Sequence, residues 1–263
     1  MHMSRFTTSE KIFNMKYIKI LLLFLFCYSC QEEIKNLSFS ADEIVNKSIE
    51  ISGGERFENS EISFDFRDKS YFAQRKNGNF LLARSFYSES DSITDFLTNK
   101  EFKRLVGEEF IVVADSMMTK YKASVNSVHY FSVLPYGLNA TPVNKYLLGE
   151  EEIKNKTYYK IRVTFNKEGG GEDFEDVFIY WVDKETFKVK YLAYSYNEDD
   201  GVGMRFREAY NERFIEGIRF VDYNNYKSSD GLMALIDLGK IFEKNKLNLL
   251  SKIELKNIVV NDL

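Results

Sequence analysis

Histidine, cysteine, proline and tryptophan are nearly missing from this chain: two, two, two and one among 263 residues. Both cysteines, Cys27 and Cys30, sit near the N-terminus, so nothing beyond residue 30 carries a thiol. That excludes a structural disulfide, a thiolate nucleophile and cysteine-ligated zinc from the rest of the chain. One histidine, His129, remains past the N-terminal stretch. A clustered histidine metal site is therefore excluded, and any metal would have to be held by carboxylates. With two prolines and no Ser/Gly-rich linker, residues 40–263 read as a single domain. No fixed-period repeat, Walker loop, nucleophile elbow or dinucleotide fingerprint is present, so no cofactor, no metal and no catalytic residue is assigned. The formal charge is −4, and residues 1–29 carry four basic residues and one acidic, which leaves about −7 on the remainder. Nucleic-acid binding rests on Lys and Arg displacing phosphate counterions, so a nucleic-acid partner is not expected.

What is present begins with Met15 to Glu33, which has the layout of a bacterial lipoprotein signal. Two lysines precede a short apolar run, Ser29 precedes Cys30, and the polar tail Gln31-Glu32-Glu33 follows. The run from Ile18 to Tyr28 spans 11 positions and is interrupted by Lys19. A membrane-spanning helix needs about 20 apolar residues, so a permanent span is not expected. Cys27 and Tyr28 depart from the Leu and small residue usual before such a cysteine, which leaves ordinary secretion and an uncleaved anchor as alternatives. The expectation is a signal peptide over 1–29 (with Met15 the better start), acylation at Cys30, and a tether over 30–39. The partner implied is a membrane, through an N-terminal acyl anchor, and the location an outer-membrane lipoprotein of the cell envelope.

Beyond the tether, Ser40 and Glu43 have capping-box spacing, and Ala41, Ile44, Val45, Ser48 and Ile49 share one helical face that Gly53-Gly54 closes. Ile62, Phe64 and Phe66 alternate with polar residues as a strand, and Asn77-Gly78 between two strand-like runs predicts a type I′ hairpin. A short helix is expected around Phe102, Leu105 and Val106, and a longer one over 115–128. Residues 130–142 read as an irregular crossover. Strands are expected over 158–165, 177–182, 187–196, 204–210 and 218–226, then a helix over 232–243 and a last strand over 249–260. This order describes an α+β fold built on a large antiparallel sheet.

The strands themselves supply the candidate site. Val177-Phe178-Ile179-Tyr180-Trp181-Val182 is apolar on both faces, and Tyr191 to Tyr196 nearly so. Both faces should therefore be covered, either by packed helices and loops or, on one side, by an apolar cavity for an acyl chain. The ligand-contact candidates are Phe178, Tyr180, Trp181, Tyr194 and Tyr196, with Arg205 and Arg207, which share a sheet face and suit an anionic group. The Glu168–Asp176 segment offers five carboxylates, one before and four after three glycines. Its spacing matches no calcium loop, and a solvated hairpin turn fits better. His129 beside a helix end reads as a packing residue rather than a general base.

The segments Ser52-Gly53-Gly54-Glu55-Arg56-Phe57, Ser124 to Phe131 with Leu134-Pro135-Tyr136-Gly137-Leu138, Tyr180-Trp181 with Tyr191 to Tyr196, and Arg205 to Tyr210 through Gly217 to Tyr223 together resemble an uncharacterised family of Bacteroidota lipoproteins with a domain of unknown function. That family is similar in organisation to the lipoprotein-carrier (LolA/LolB-like) fold. The resemblance implies an incomplete β-barrel with helices on its concave face and an apolar groove that takes acyl chains. It implies a non-enzymatic, lipid-anchored envelope protein that holds a hydrophobic small molecule or a lipoprotein client. An interaction lipoprotein of an envelope complex is the alternative, and a carboxylate-based enzyme a remote one.

Overall fold

A computed structural model describes residues 39–89, 91–170, 174–198, 201–228 and 234–263. The expected signal peptide, Cys30 and all of the tether but Phe39 lie outside these residues. Helix α1 (Ala41–Ser52) begins as the sequence predicts: the Ser40 hydroxyl accepts from Glu43 N–H at 3.2 Å, and Ser40 N–H donates to the Glu43 carboxylate at 2.8 Å. It ends at Gly53, whose φ of 142° suits glycine, and a Cβ there would stand 2.8 Å from the Phe57 ring.

The strands form two antiparallel seven-stranded sheets that do not close into a barrel. The first holds β1 (Asn59–Phe66), β2 (Lys69–Lys76), β3 (Asn79–Ser88), β4 (Asp91–Thr98), β5 (Phe102–Val106) and β6 (Glu109–Ile111), with β14 (Lys256–Asp262) beside β1. The second runs in order β13 (Leu247–Ile253), β12 (Ile218–Ser228), β11 (Gly201–Ile215), β10 (Val189–Glu198), β9 (Val177–Asp183), β8 (Lys156–Phe165) and β7 (Val143–Ile153). Asn77 and Gly78 have φ of 52° and 75°, both positive as a type I′ turn requires.

Consecutive strands β13 and β14 belong to different sheets, so the expected last strand is two strands broken at Glu254-Leu255. Asp222 on β12 stitches that break: it accepts from Leu255 N–H at 3.0 Å and from Arg213 at 3.0 Å, and Arg213 donates onward to the Leu255 carbonyl at 2.8 Å. Residues from both sheets (Ile62, Phe64 and Val260; Ile218 and Phe220) fill one core around Phe57. At the other end β6 and β7 are free edges, and the chain between them forms α2 (Asp115–Ser132), which crosses the open side.

The second sheet is covered on both faces, as its two-sided apolar strands require. Phe178, Tyr180 and Val182 of β9 point to the core shared with α1, while Ile179 and Trp181 point to a second core under α3 (Leu238–Glu243). The final helix is thus shorter than expected and lies on the face opposite α1 and α2; its expected first residues fall outside the described set.

Residues 102–106 form a strand, not the expected helix. Phe102 and Arg104 point inward, and Arg104 pairs across the ladder with Asp95 of β4. A charged inward residue breaks the apolar alternation that would have marked this strand. Asp95 is fully buried and accepts from Arg84 at 2.5 Å and from Arg104 at 2.6 and 2.9 Å. Arg84 also bonds Ser124, and the Arg104 guanidinium lies 3.4 Å from the centre of the Tyr121 ring, so this cluster ties α2 to the first sheet. Removing the carboxylate would strand two buried cations. Asp95→Ala should therefore lower the unfolding free energy by about 3–5 kcal/mol in urea titration, and a loss below ~1 kcal/mol would show the cluster to be dispensable.

Candidate functional site

Helix α2 divides the concave side of the open barrel into two clefts. One, of about 700 Å³, lies between Phe66 and Leu97 of the first sheet, Ala123, Tyr130 and Phe131 of α2, and Phe178, Tyr194, Val221 and Tyr223 of the second sheet. Phe131 is its centrepiece, with ring centres 5.2 Å from Tyr194, 5.5 Å from Tyr130 and 6.1 Å from Phe178. Lys122, Glu175 and Asp176 also line it. The second cleft, on the other side of α2, is about 920 Å³ and more acidic, with Arg75, Glu50, Glu55 and Glu58 among its lining. The first volume falls in the roughly 300–1,000 Å³ of small-molecule sites, and its aromatic lining suits an apolar group.

Of the residues singled out in the sequence, Phe178, Tyr194, Tyr196 and Arg207 line the first cleft. Tyr180 lies behind them, buried, with its hydroxyl 3.0 Å from that of Tyr130, and burial holds its ionisation well above the usual phenol range. Arg205 does not line the cleft; its guanidinium lies 5.2 Å from the Tyr196 ring centre and donates to the Met204 carbonyl. Trp181 is on the wrong face. It is fully buried under α3, edge-on to Phe206 at 5.5 Å, where neighbouring strand residues alternate between the two cores.

Tyr130, Phe131, Val221 and Tyr223 were not anticipated. The first two belong to the last turn of α2, which runs four residues past its expected end instead of giving way to a crossover. The aromatic pair following Val125 and Val128 on the helical period was the available signal. In the Glu168–Asp176 segment, residues 171–173 lie outside the described set, and with them two of its five carboxylates, Glu172 and Asp173. Among the described residues no three His, Asp or Glu side chains gather as metal ligands.

His129 is buried on α2. Its Nε2–H donates to the Ala83 carbonyl at 3.0 Å, and its ring meets Phe64 and Tyr71 edge-on at 5.9 and 5.5 Å. Burial, reinforced by the nearby positive Arg75, lowers its pKa from 6.5 to about 4 against the opposing pull of the Ala83 bond. It has no hydroxyl or carboxylate partner and serves as a neutral packing group. Between pH 6.5 and about 4 the unfolded chain binds a proton that the native chain does not. Stability from this group therefore falls as pH drops through that window, by on the order of 3 kcal/mol in total. His129→Gln, which keeps a donor for Ala83, should flatten the stability profile there in denaturant titrations; an unchanged slope would assign the acid sensitivity elsewhere.

A search of curated proteins finds no match to this sequence. In three dimensions the chain is similar to a LolA superfamily protein from Nitrosomonas europaea, at 14% identity and a TM-score of 0.47, over 86% of this chain and 96% of that one. It is also similar to a putative outer membrane lipoprotein-sorting protein domain from Vibrio parahaemolyticus (9% identity, TM-score 0.27, 76% and 99% covered). A third similar structure is LprF from Mycobacterium bovis (11% identity, TM-score 0.25, 63% and 91% covered). A family profile matches residues 16–255, and the chain belongs to that family of unknown function, DUF6503.

Proposed function

We propose that this protein is a lipid-anchored lipoprotein of the cell envelope that binds, without catalysis, the apolar part of a small molecule or of a lipidated client in the cleft beneath α2. The observation that carries this reading is the cleft itself, about 700 Å³ and lined by Phe131, Phe178, Tyr194, Val221 and Tyr223. An aromatic-walled space open to solvent is costly unless an apolar group fills it, since buried apolar area contributes about 25 cal/mol per Å². Acylation at Cys30 would hold that cleft at a membrane surface, and a multiply acylated cysteine is effectively permanent because each buried methylene adds about 0.8 kcal/mol.

A second reading, an interaction lipoprotein of an envelope complex, draws on a different feature. The free β6 edge ends in Phe110-Ile111-Val112, with Phe110 63% and Val112 100% exposed. Unpaired edges of this kind template pairing with another chain.

Two measurements test the first reading. Metabolic labelling with a palmitate analogue should mark the protein and lose the mark in Cys30→Ala; label that persists would remove the anchor at that residue. The full chain carrying Cys30→Ala should take up a neutral naphthylamine dye with a fluorescence increase, and Ala123→Trp on α2 should cut that uptake at least tenfold by filling the cleft. Equal uptake by both would place the dye elsewhere and leave the edge-pairing reading in front.

A further inference from the structure

Among the described residues, three of the five buried arginines, and the part-buried Arg213, have a carboxylate partner. Arg84 and Arg104 share Asp95, Arg213 binds Asp222, and Arg219 binds Glu212 at 2.5 Å. Arg207 is different. It lies on β11 in register with Leu192 and Asn225, is 8% exposed, and no described carboxylate comes within ion-pairing distance. Its Nη2 donates to the neutral Tyr194 hydroxyl at 2.8 Å, and its Nε has no acceptor. The guanidinium carbon sits 3.9 Å from the Phe131 ring centre, 4.9 Å from Tyr194 and 6.0 Å from Tyr223. These rings attract a cation but give it no anion.

Two carboxylates, Glu175 and Asp176, line the same cleft and have contacts of their own. Lys122 of α2 adds a further cation to the lining. Arg75 is the other buried arginine without a carboxylate partner, but its cleft sets that one cation against Glu50, Glu55 and Glu58. In the first cleft Arg207 and Lys122 match Glu175 and Asp176, so the lining does not repel an anion on balance. Burying a guanidinium with an unsatisfied donor carries a desolvation cost, and an anion in hydrogen-bond reach offsets both the buried charge and the unmade bond. The edge formed by Nε and Nη2, whose Nε is buried without an acceptor, is the side through which arginine grips carboxylate or phosphate in two parallel bonds.

We propose that Arg207 is the head-group receptor of the cleft, so that the ligand is an amphiphile with a free anionic group, carboxylate or phosphate, and an apolar tail lying against Phe131 and Phe178. This rests on the cleft binding an apolar group at all, and adds that the ligand is charged. The ester- and amide-linked acyl groups of a lipidated protein carry no such anion, so they would leave Arg207 uncompensated. The receptor thus favours free fatty acids or phosphate-bearing lipids over an acylated client.

The test uses four probes on the full chain carrying Cys30→Ala: the neutral naphthylamine dye, and three displacers of one chain length, palmitate, hexadecyl phosphate and hexadecanol, all below their aggregation thresholds. One or both anions should displace the dye at least tenfold more tightly than hexadecanol, and which of them does identifies the head group. Arg207→Met keeps the length of the stem and removes a costly charge, so it should fold. In that variant anions and alcohol should bind alike, with hexadecanol affinity unchanged, while Arg207→Lys should restore part of the preference. Dye uptake with equal affinity for all three displacers in the parent chain, or an anion preference that survives Arg207→Met, overturns the receptor and leaves the apolar cleft standing. No uptake of any probe overturns the cleft and the receptor together.

Discussion

A single buried carboxylate, Asp95, holds the arrangement on which the clefts depend. It accepts from two guanidiniums of the first sheet, and those two in turn engage Ser124 and Tyr121 of α2. Without it the helix would be offered two uncompensated cations as its seat, a surface no amphipathic helix would favour. With it, the same two arginines share one carboxylate, and their remaining single positive charge is met by the Ser124 hydroxyl and the Tyr121 ring of α2. The position of α2 across the open side, and hence the existence of two separate clefts rather than one broad trough, follows from this charge arithmetic.

The other wall has a different physics. Strands β8 to β11 bury side chains on both faces, and nearly all of them are apolar or aromatic. One face is sealed by α3, where Phe206 meets Trp181 edge-on at 5.5 Å and stacks on Phe242 at 4.7 Å. The face toward α2 is sealed only in part: α1 covers Ile161, Val182 and Leu192, and the remaining rings of Phe178, Tyr194 and Tyr223 look into the first cleft. The contrast between the sealed and the open face is what turns an ordinary sheet into a candidate binding wall.

Much of this was legible, and the failures share a cause. The Ser40 capping box, the Asn77-Gly78 hairpin and the strands from Tyr158 to Tyr226 are written in local chemistry, and local chemistry decided them. Strand β5 was hidden because its inward residue is Arg104, whose partner lies in another strand that itself reads as polar. Strand β7 was hidden because it is an edge with a register shift between Leu147 and Gly149, a run of glutamates and two exposed leucines. Trp181 was a failure of a simpler kind. It stands three residues from Phe178, and an odd spacing on a strand puts two side chains on opposite faces. Alternation alone separates Phe178 and Tyr180 from Trp181, and it also puts Arg207 on the cleft side of its strand. Whether that arginine has a counter-ion is a long-range fact that no local pattern carries.

The two walls attach to α2 by unlike forces, and that difference bears on how a ligand would enter. Toward the first sheet the helix is held by directional, charge-assisted bonds that an apolar ligand cannot replace. Toward the second sheet it is held by Phe131 and Tyr130 against Phe178 and Tyr194, with one hydroxyl pair, Tyr130 to Tyr180. Dispersion contacts are non-directional, so an acyl chain sliding between those rings exchanges one set for another at small net cost. Entry should thus separate α2 from the second sheet while leaving its seat on the first intact. The hinge is then the Asp95 cluster, and the mobile edge is the row of aromatic rings that surrounds Arg207.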